Sequence, residues 1–399
     1  MKYDFESIID RRGKDADAID VLPCHWGEVE VRDGLDYIPM WVADMNFATV
    51  PTVTEAIIER AKHPTYGYFS PRDEYYDSII SWHRDVKGDD SLTRESIGYE
   101  NGVLGGVATA LHVLCSQGDK VLVHSPTYVG FTGVLKNNGY HIVHSPLVRD
   151  ENGVWRMDFD DMEKKIEENH IHAAIFCSPH NPTGRVWERW EIEKAMEIYR
   201  KHDVYVISDE IWSDLITKGR HIPTQTVSSD AQQRTVALYA PSKTFNLAGL
   251  VGSYHVVHNR WLRERMLKES SLGHYNSMNL LSMYALIGAY SPEGREWLGE
   301  LREVIGANLD YACEFIRDNF EGVKVTRPEG TYMLFIDCKD FCLKNGLTLK
   351  ELLFKGFEAG VFWQNGEDFN LEYSIRMNLA LPLSRVKEAF DRLKKYVFC

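Results

Sequence analysis

The chain has no C-x-x-C pair, no block of basic residues, no internal repeat, no low-complexity segment and no window of 18 consecutive apolar residues. Each absence removes a class of protein. The seven cysteines are scattered, with Cys338 and Cys342 the one close pair, so they read as reduced core residues and form neither a disulfide framework nor a thiolate metal site. His170-Ile171-His172 and the pair His255 and His258 lack a carboxylate or cysteine at ligand spacing, and no metal is expected. A net charge of −14 without a basic run argues against nucleic acid or an anionic membrane surface as partner. No apolar stretch is long enough to span a membrane, and Met1-Lys2-Tyr3-Asp4-Phe5-Glu6 mixes charges where a signal peptide carries an apolar core. The expected compartment is the cytoplasm.

What is present is an ordinary globular composition, 44% apolar and 26% charged, over 399 residues. That length exceeds what a single core usually covers, so two domains are expected. From about residue 68 to 260, near-continuous apolar runs at 120–124, 173–177, 204–207, 235–239 and 252–257 alternate with helical patterns such as 160–168 and 188–201. This predicts an α/β fold, a mostly parallel sheet flanked by helices. A helical stretch around 278–320, strands at 323–338 and 374–381 and helices at 349–359 and 384–398 give a smaller α+β domain. The expected division is an N-terminal arm at 1–48, a large domain at 49–290 and a small C-terminal domain at 291–399.

Ligand sites in such sheets lie beyond the strand ends. Lys243, in Ala240-Pro241-Ser242-Lys243-Thr244-Phe245-Asn246, follows the strand at 235–239. An amine held in an apolar pocket loses part of its preference for the charged form and attacks carbonyls as a nucleophile. Asn101-Gly102-Val103-Leu104-Gly105-Gly106 opens a helix whose free N–H groups suit a phosphate, although the same residues serve equally as an ordinary helix start. Tyr128, in Ser125-Pro126-Thr127-Tyr128, is placed either to stack on a flat ring or simply to pack. Asn181, between two prolines in Ser178-Pro179-His180-Asn181-Pro182, is a fixed amide donor or a plain turn residue. Asp209 comes off the end of an apolar strand, a costly place for a carboxylate without a cationic partner. Glu210 and Asp214 show no such need and read as helix N-terminal or solvated charges. Arg376, inside the apolar strand Ser374-Ile375-Arg376-Met377-Asn378, calls for a planar anion to fork onto.

Asn-Pro-Thr-Gly at 181–184, Ser-Asp-Glu-Ile-Trp at 208–212, Pro-Ser-Lys-Thr-Phe-Asn at 241–246 and Ile-Arg-Met-Asn at 375–378 stand in that order. Together they resemble the pyridoxal 5′-phosphate (PLP) enzymes of fold type I, the aspartate aminotransferase superfamily (class I/II), over nearly the whole chain. Within it the chain is similar to the MalY/PatB-type cystathionine β-lyase, or carbon–sulfur lyase, branch. Pro39-Met40-Trp41-Val42-Ala43-Asp44-Met45, Trp212 in place of the usual tyrosine, and the run from Lys243 to Leu250 carry that likeness.

The resemblance implies that Lys243 holds the cofactor as a Schiff base and acts as base. Asp209 pairs with the ring nitrogen, Asn181 bonds the phenolic oxygen, Tyr128 stacks and Trp212 lies beside the ring. The backbone of Val103 and Leu104, with Ser242, holds the phosphate, and Tyr68 reaches it across the interface of a homodimer. Arg376 binds the carboxylate of a small amino-acid substrate. Val251 stands where many relatives place a phosphate-binding arginine. The implied reaction is α,β-elimination on cystathionine or a related cysteine S-conjugate to pyruvate, ammonia and a thiol. The alternatives are transamination with a 2-oxo acid and a non-catalytic, cofactor-binding regulator. The chain departs from the branch at Asn46, usually aspartate, at Ala18-Ile19, usually a Lys-Trp pair, and in the loop 365–373, so its substrate can differ from cystathionine.

Overall fold

The structure is a computed structural model that describes residues 1–21, 29–272 and 275–399. Two compact units emerge: Thr49–Asn181 with Arg185–Gly299, and Met1–Ala48 with Pro182–Gly184 and Glu300–Cys399.

The first of these is built on eight strands: β2 Ile97–Asn101, β3 Lys120–Ser125, β4 His141–Arg149, β5 Trp155–Met157, β6 Ala173–Cys177, β7 Tyr205–Asp209, β8 Thr235–Tyr239 and β9 Gly252–Val256. A short β1, Ile38–Pro39, precedes them in the other unit. The eight run in the order β2-β9-β8-β7-β6-β3-β4-β5. Five of them, β8, β7, β6, β3 and β4, are parallel, whereas β9 is antiparallel to both β8 and β2. Residues of β6 and β8 are buried throughout, as expected of strands covered on both faces.

Helices α1 Pro51–Ala61, α2 Asp73–Trp82, α3 Val103–Leu114, α4 Val129–Asn137, α5 Phe159–Asn169, α6 Arg189–Lys201, α7 Arg260–Leu272 and α8 Leu280–Ala289 accompany the sheet. The core joins α3 (Val103, Val107, Leu111) and α7 (Leu262, Met266) to strand residues Val121, Ile175, Ile207, Val236 and Leu238. Two helices show how the sequence sets the boundaries. Asp158 caps α5 by accepting from Asp161 N, and Glu188 with Glu191 forms a capping box at α6.

One consequence of the strand directions governs the site. β2, β3, β6, β7 and β8 all point the same way, so the loops after Asn101, Ser125, Cys177, Asp209 and Tyr239 leave from one edge of the sheet. β9 runs against them and begins at that edge, so the residue before it, Val251, arrives there too. The strand order reverses between β3 and β6, the kind of switch point where open α/β sheets bind ligands.

In the other unit, β10 Lys324–Val325, β11 Met333–Asp337, β13 Gln364–Asn365 and β14 Ser374–Asn378 form an antiparallel sheet in the order β10-β11-β14-β13. β1 pairs in parallel with β12, Val361–Phe362. Helices Leu349–Glu358 and Leu383–Tyr396 belong to the same unit. Among the described residues no helix is long and apolar enough to cross a membrane.

The cysteine expectation needs correction. Cys177, Cys313, Cys338 and Cys342 are buried free thiols, but Cys115 is only half-buried and Cys399 is exposed. Cys24 lies outside the described residues.

Candidate active site

The sheet edge gathers the predicted residues of the larger unit. Val103 and Leu104 are the first two residues of α3, and Gly102 caps it with φ +80°, a conformation that L side chains rarely adopt. No side chain caps that helix, so its leading N–H groups are offered to a ligand. Behind this turn lies a buried network that sequence reading missed. Glu100, wholly buried, accepts from Asn276 Nδ2 at 2.6 Å and stands 2.7 Å from His255 Nδ1, while Asn276 Oδ1 accepts from Asn101 N at 2.9 Å. His255 therefore has a carboxylate partner after all, supplied across the β2–β9 ladder, where pattern within one segment cannot reveal it. Gly98 makes room for it, since a Cβ there would sit 2.3 Å from the His255 ring.

After β3, Tyr128 caps α4 and packs edge-on against Phe131, with ring centroids 5.3 Å apart. After β6, the turn that carries Asn181 is tied back by Cys177, whose Sγ donates to Pro179 O at 3.3 Å and accepts from Asn181 N at 3.4 Å. Asn181 is buried.

Asp209 ends β7 and is buried, accepting from Ile211 N at 3.0 Å. Burial pushes its carboxyl up to about 7, with Ile211 N–H and the nearby Lys243 charge pulling the other way. Among the described residues it makes no ion pair, so it is a buried acid suited to a cation delivered by a ligand. Trp212 is buried three residues on, and Lys243 Nζ lies 5.9 Å from the centroid of its ring. Ser242 and Lys243 are half-buried in the turn after β8, which Phe245 N and Leu247 N close onto Pro241 O and Ser242 O at 2.8 and 3.0 Å.

Glu210 and Asp214 are not solvated charges. Both are buried. Burial would raise the Glu210 carboxyl, but His221, Thr224 N and Tyr239 OH, at 2.7, 2.9 and 2.7 Å, hold it below the usual range. Asp214 accepts from Trp82 Nε1 at 3.1 Å and Thr244 Oγ1 at 3.0 Å, and pairs with Lys87. Its partners are 132, 30 and 127 positions away in sequence, so no local pattern announces them.

Two predicted residues are not in these strand-end loops. Arg376, in the smaller unit, is buried in β14 with its guanidinium 4.6 Å from the Phe369 ring, 3.3 Å from Trp41 O and bonded to Gln364 Oε1. Tyr68 is fully exposed, in a stretch 64–70 without regular structure that is exposed throughout.

An uncapped helix start for an anion and a buried acid suited to a cation, with the Lys243 amine close enough to that acid to lower its pKa, suit a phosphorylated pyridine aldehyde. The residues present fit pyridoxal 5′-phosphate. Sequence comparison points the same way: the profile of the aminotransferase class I and II family matches residues 36–393. The chain belongs to that family and is a PLP-dependent enzyme. It is 33% identical over 364 residues to the cystathionine β-lyase PatB of Bacillus subtilis (strain 168), covering 90% of this chain and 92% of that one. It is similar to the PLP-bound C–S lyase of Staphylococcus hominis, with TM-score 0.90 and 30% identity over 100% of this chain and 98% of that one. It also resembles cystalysin of Treponema denticola, whose structure contains pyridoxal 5′-phosphate, with TM-score 0.91 and 31% identity over 99% and 98%.

Proposed function

We propose that the chain is a carbon–sulfur β-lyase that acts on cystathionine or a related cysteine S-conjugate and releases pyruvate, ammonia and a thiol. The observation that carries this reading is the pairing, on one sheet edge, of a half-buried lysine with a wholly buried aspartate whose proton a cationic ring would displace. The kinship with named C–S lyases selects among the reactions such a site performs.

In this reading Lys243 holds the cofactor. Val103 and Leu104 N–H with Ser242 take its phosphate, Asn181 donates to its phenolic oxygen, and Tyr128 and Trp212 lie against its ring. Asp209, ionised by a cationic partner, would hold a proton on the ring nitrogen. When bound, the cofactor supplies an electron sink for charge developing at the substrate's Cα. Arg376 forks onto the substrate's carboxylate. Lys243 Nζ, when it is a free amine, would take the proton from the substrate's Cα. The electron pair left at Cα forms the Cα–Cβ double bond while the Cβ–S pair departs with sulfur. The resulting enamine hydrolyses to pyruvate and ammonia.

The same reading makes the protein a cytoplasmic homodimer. Tyr66 at 57% and Tyr68 at 111% exposure are rings a lone chain leaves uncovered, and Tyr68 is assigned to the partner's phosphate.

Transamination is the competing outcome, because without a leaving group at Cβ the abstracted proton is returned elsewhere. The test is pyruvate release from cystathionine and a panel of cysteine conjugates by the holoenzyme with no 2-oxo acid added. Turnover only when a 2-oxo acid is supplied overturns the lyase reading in favour of the aminotransferase.

A further inference from the structure

We infer that Asp214, with Lys87 as its buried counter-ion, is the positioning residue that fixes Lys243 relative to Asp209. The inference rests on Lys243 being the cofactor's lysine. Asp214 Oδ2 accepts from Thr244 Oγ1, the residue next to Lys243, at 3.0 Å. Its Oδ1 accepts from Trp82 Nε1 at 3.1 Å and from Lys87 Nζ, which also donates to Ser213 Oγ at 2.6 Å. One carboxylate thus joins three segments: the end of α2, the turn that starts at Asp209 and the loop of Lys243.

The residue on the far side of Thr244 is held as firmly. Phe245 is wholly buried against Trp82 and Trp297, at ring distances of 5.7 and 5.4 Å, and Trp82 stacks on Tyr290 at 4.6 Å. Thr244 and Phe245, the two residues that follow Lys243, are thus both anchored.

Two features argue that the ion pair serves placement, not bulk stability. Lys87 and Asp214 are 2% and 3% exposed, and a buried pair of charges is usually no more stable than an apolar pair of the same volume. Moreover, Lys87 reaches Asp214 from a π-helical turn, His83–Lys87, at the end of α2, and such turns are rare and concentrate at functional sites. A hydrogen bond onto an ionised acceptor in a dry interior is also directional. Losing it lets the lysine drift, and a misplacement of about 1 Å costs on the order of 100-fold in rate.

The test uses the holoenzyme and four variants. Thr244→Val is expected to keep the cofactor and the thermal midpoint, to lose about 100-fold in kcat with KM nearly unchanged, and to shift the pH at which the visible band of the bound cofactor changes. Thr244→Ser restores both. The double change Lys87→Met with Asp214→Leu is expected to keep the thermal midpoint but to lose kcat and shift the spectral titration as Thr244→Val does. Wild-type values of all three in the apolar pair, or a Thr244→Val enzyme with unchanged kcat and titration, overturn the inference. Lys243→Ala, run alongside, separates the two layers: if it still holds the cofactor covalently, the assignment of Lys243 is what fails.

Discussion

Cys177 and Asp209 face one another across the parallel ladder of β6 and β7, each the last residue of its strand. The thiol braces the turn of Asn181 on one side, and the carboxyl stands beside it on the other. Burial, and then the charge of Asp209, push the Cys177 thiol well above its ordinary range, with Asn181 N–H a smaller opposing influence. It is therefore a structural thiol and a poor nucleophile. In the folded protein Cys399, which is exposed, is expected to take up a thiol reagent at once, and Cys177 only after unfolding. Peptide mapping after timed alkylation checks this, and early labelling of Cys177 contradicts it.

Asp209 gives the cofactor-free protein a signed pH dependence. Its carboxyl titrates near 3.8 in the unfolded chain and about 7 in the folded one. The stability this contributes is complete below about pH 4 and is lost as pH rises through 7. Between pH 5 and 8 the apo-protein should lose roughly 2–3 kcal/mol from this group, and Asp209→Asn should remove that slope. Urea unfolding of both apo-proteins at the two pH values measures it. Identical slopes would show that the carboxyl is ionised throughout.

The network behind the glycine turn predicts a change in cofactor affinity. Glu100→Gln replaces a buried acceptor of charge-assisted hydrogen bonds that steady Asn101 through Asn276. Such bonds are worth about 1.5–3 kcal/mol, and half of that felt at the phosphate weakens cofactor binding by roughly 4- to 13-fold. Equilibrium titration of apo-enzyme with pyridoxal 5′-phosphate reads the effect directly. An unchanged dissociation constant would mean that α3 holds its place without Glu100.

Val251 carries local strain. It is a β-branched residue at φ +62° and 46% exposed, a conformation that Asn tolerates and Val does not. Val251→Asn should stabilise the protein by about 1 kcal/mol, raising the thermal midpoint by a degree or two. A lower midpoint would show that packing of the isopropyl group outweighs the strain.

Much of the fold was legible in sequence. The runs at 173–177 and 235–239 are β6 and β8 to the residue, because a strand covered on both faces is apolar at every position. β4 escaped notice: His141, His144, Ser145, Pro146 and Arg149 break the apolar run of a strand near the sheet's margin that is only partly buried. β2 escaped too, because Gly98, Glu100 and Asn101 interrupt any apolar run within it, and Gly98 and Glu100 both serve His255. At the candidate site, the residues after each strand end could be named because chemistry and position coincide there. Asp214, Lys87 and Glu100 could not. A buried charge is betrayed by its partner, and each partner lies far along the chain or across a ladder.

The orientation of the strands puts none of the candidate strand-end residues on the reverse margin of the sheet. The connections that enter β3, β4, β6 and β7 turn there, and Gly118, in the first of them, is exposed with open space around it. Added length at that point perturbs neither the amine nor the acid on the far side. This is where the polypeptide can be tagged, fused or lengthened while its reaction goes on unaltered.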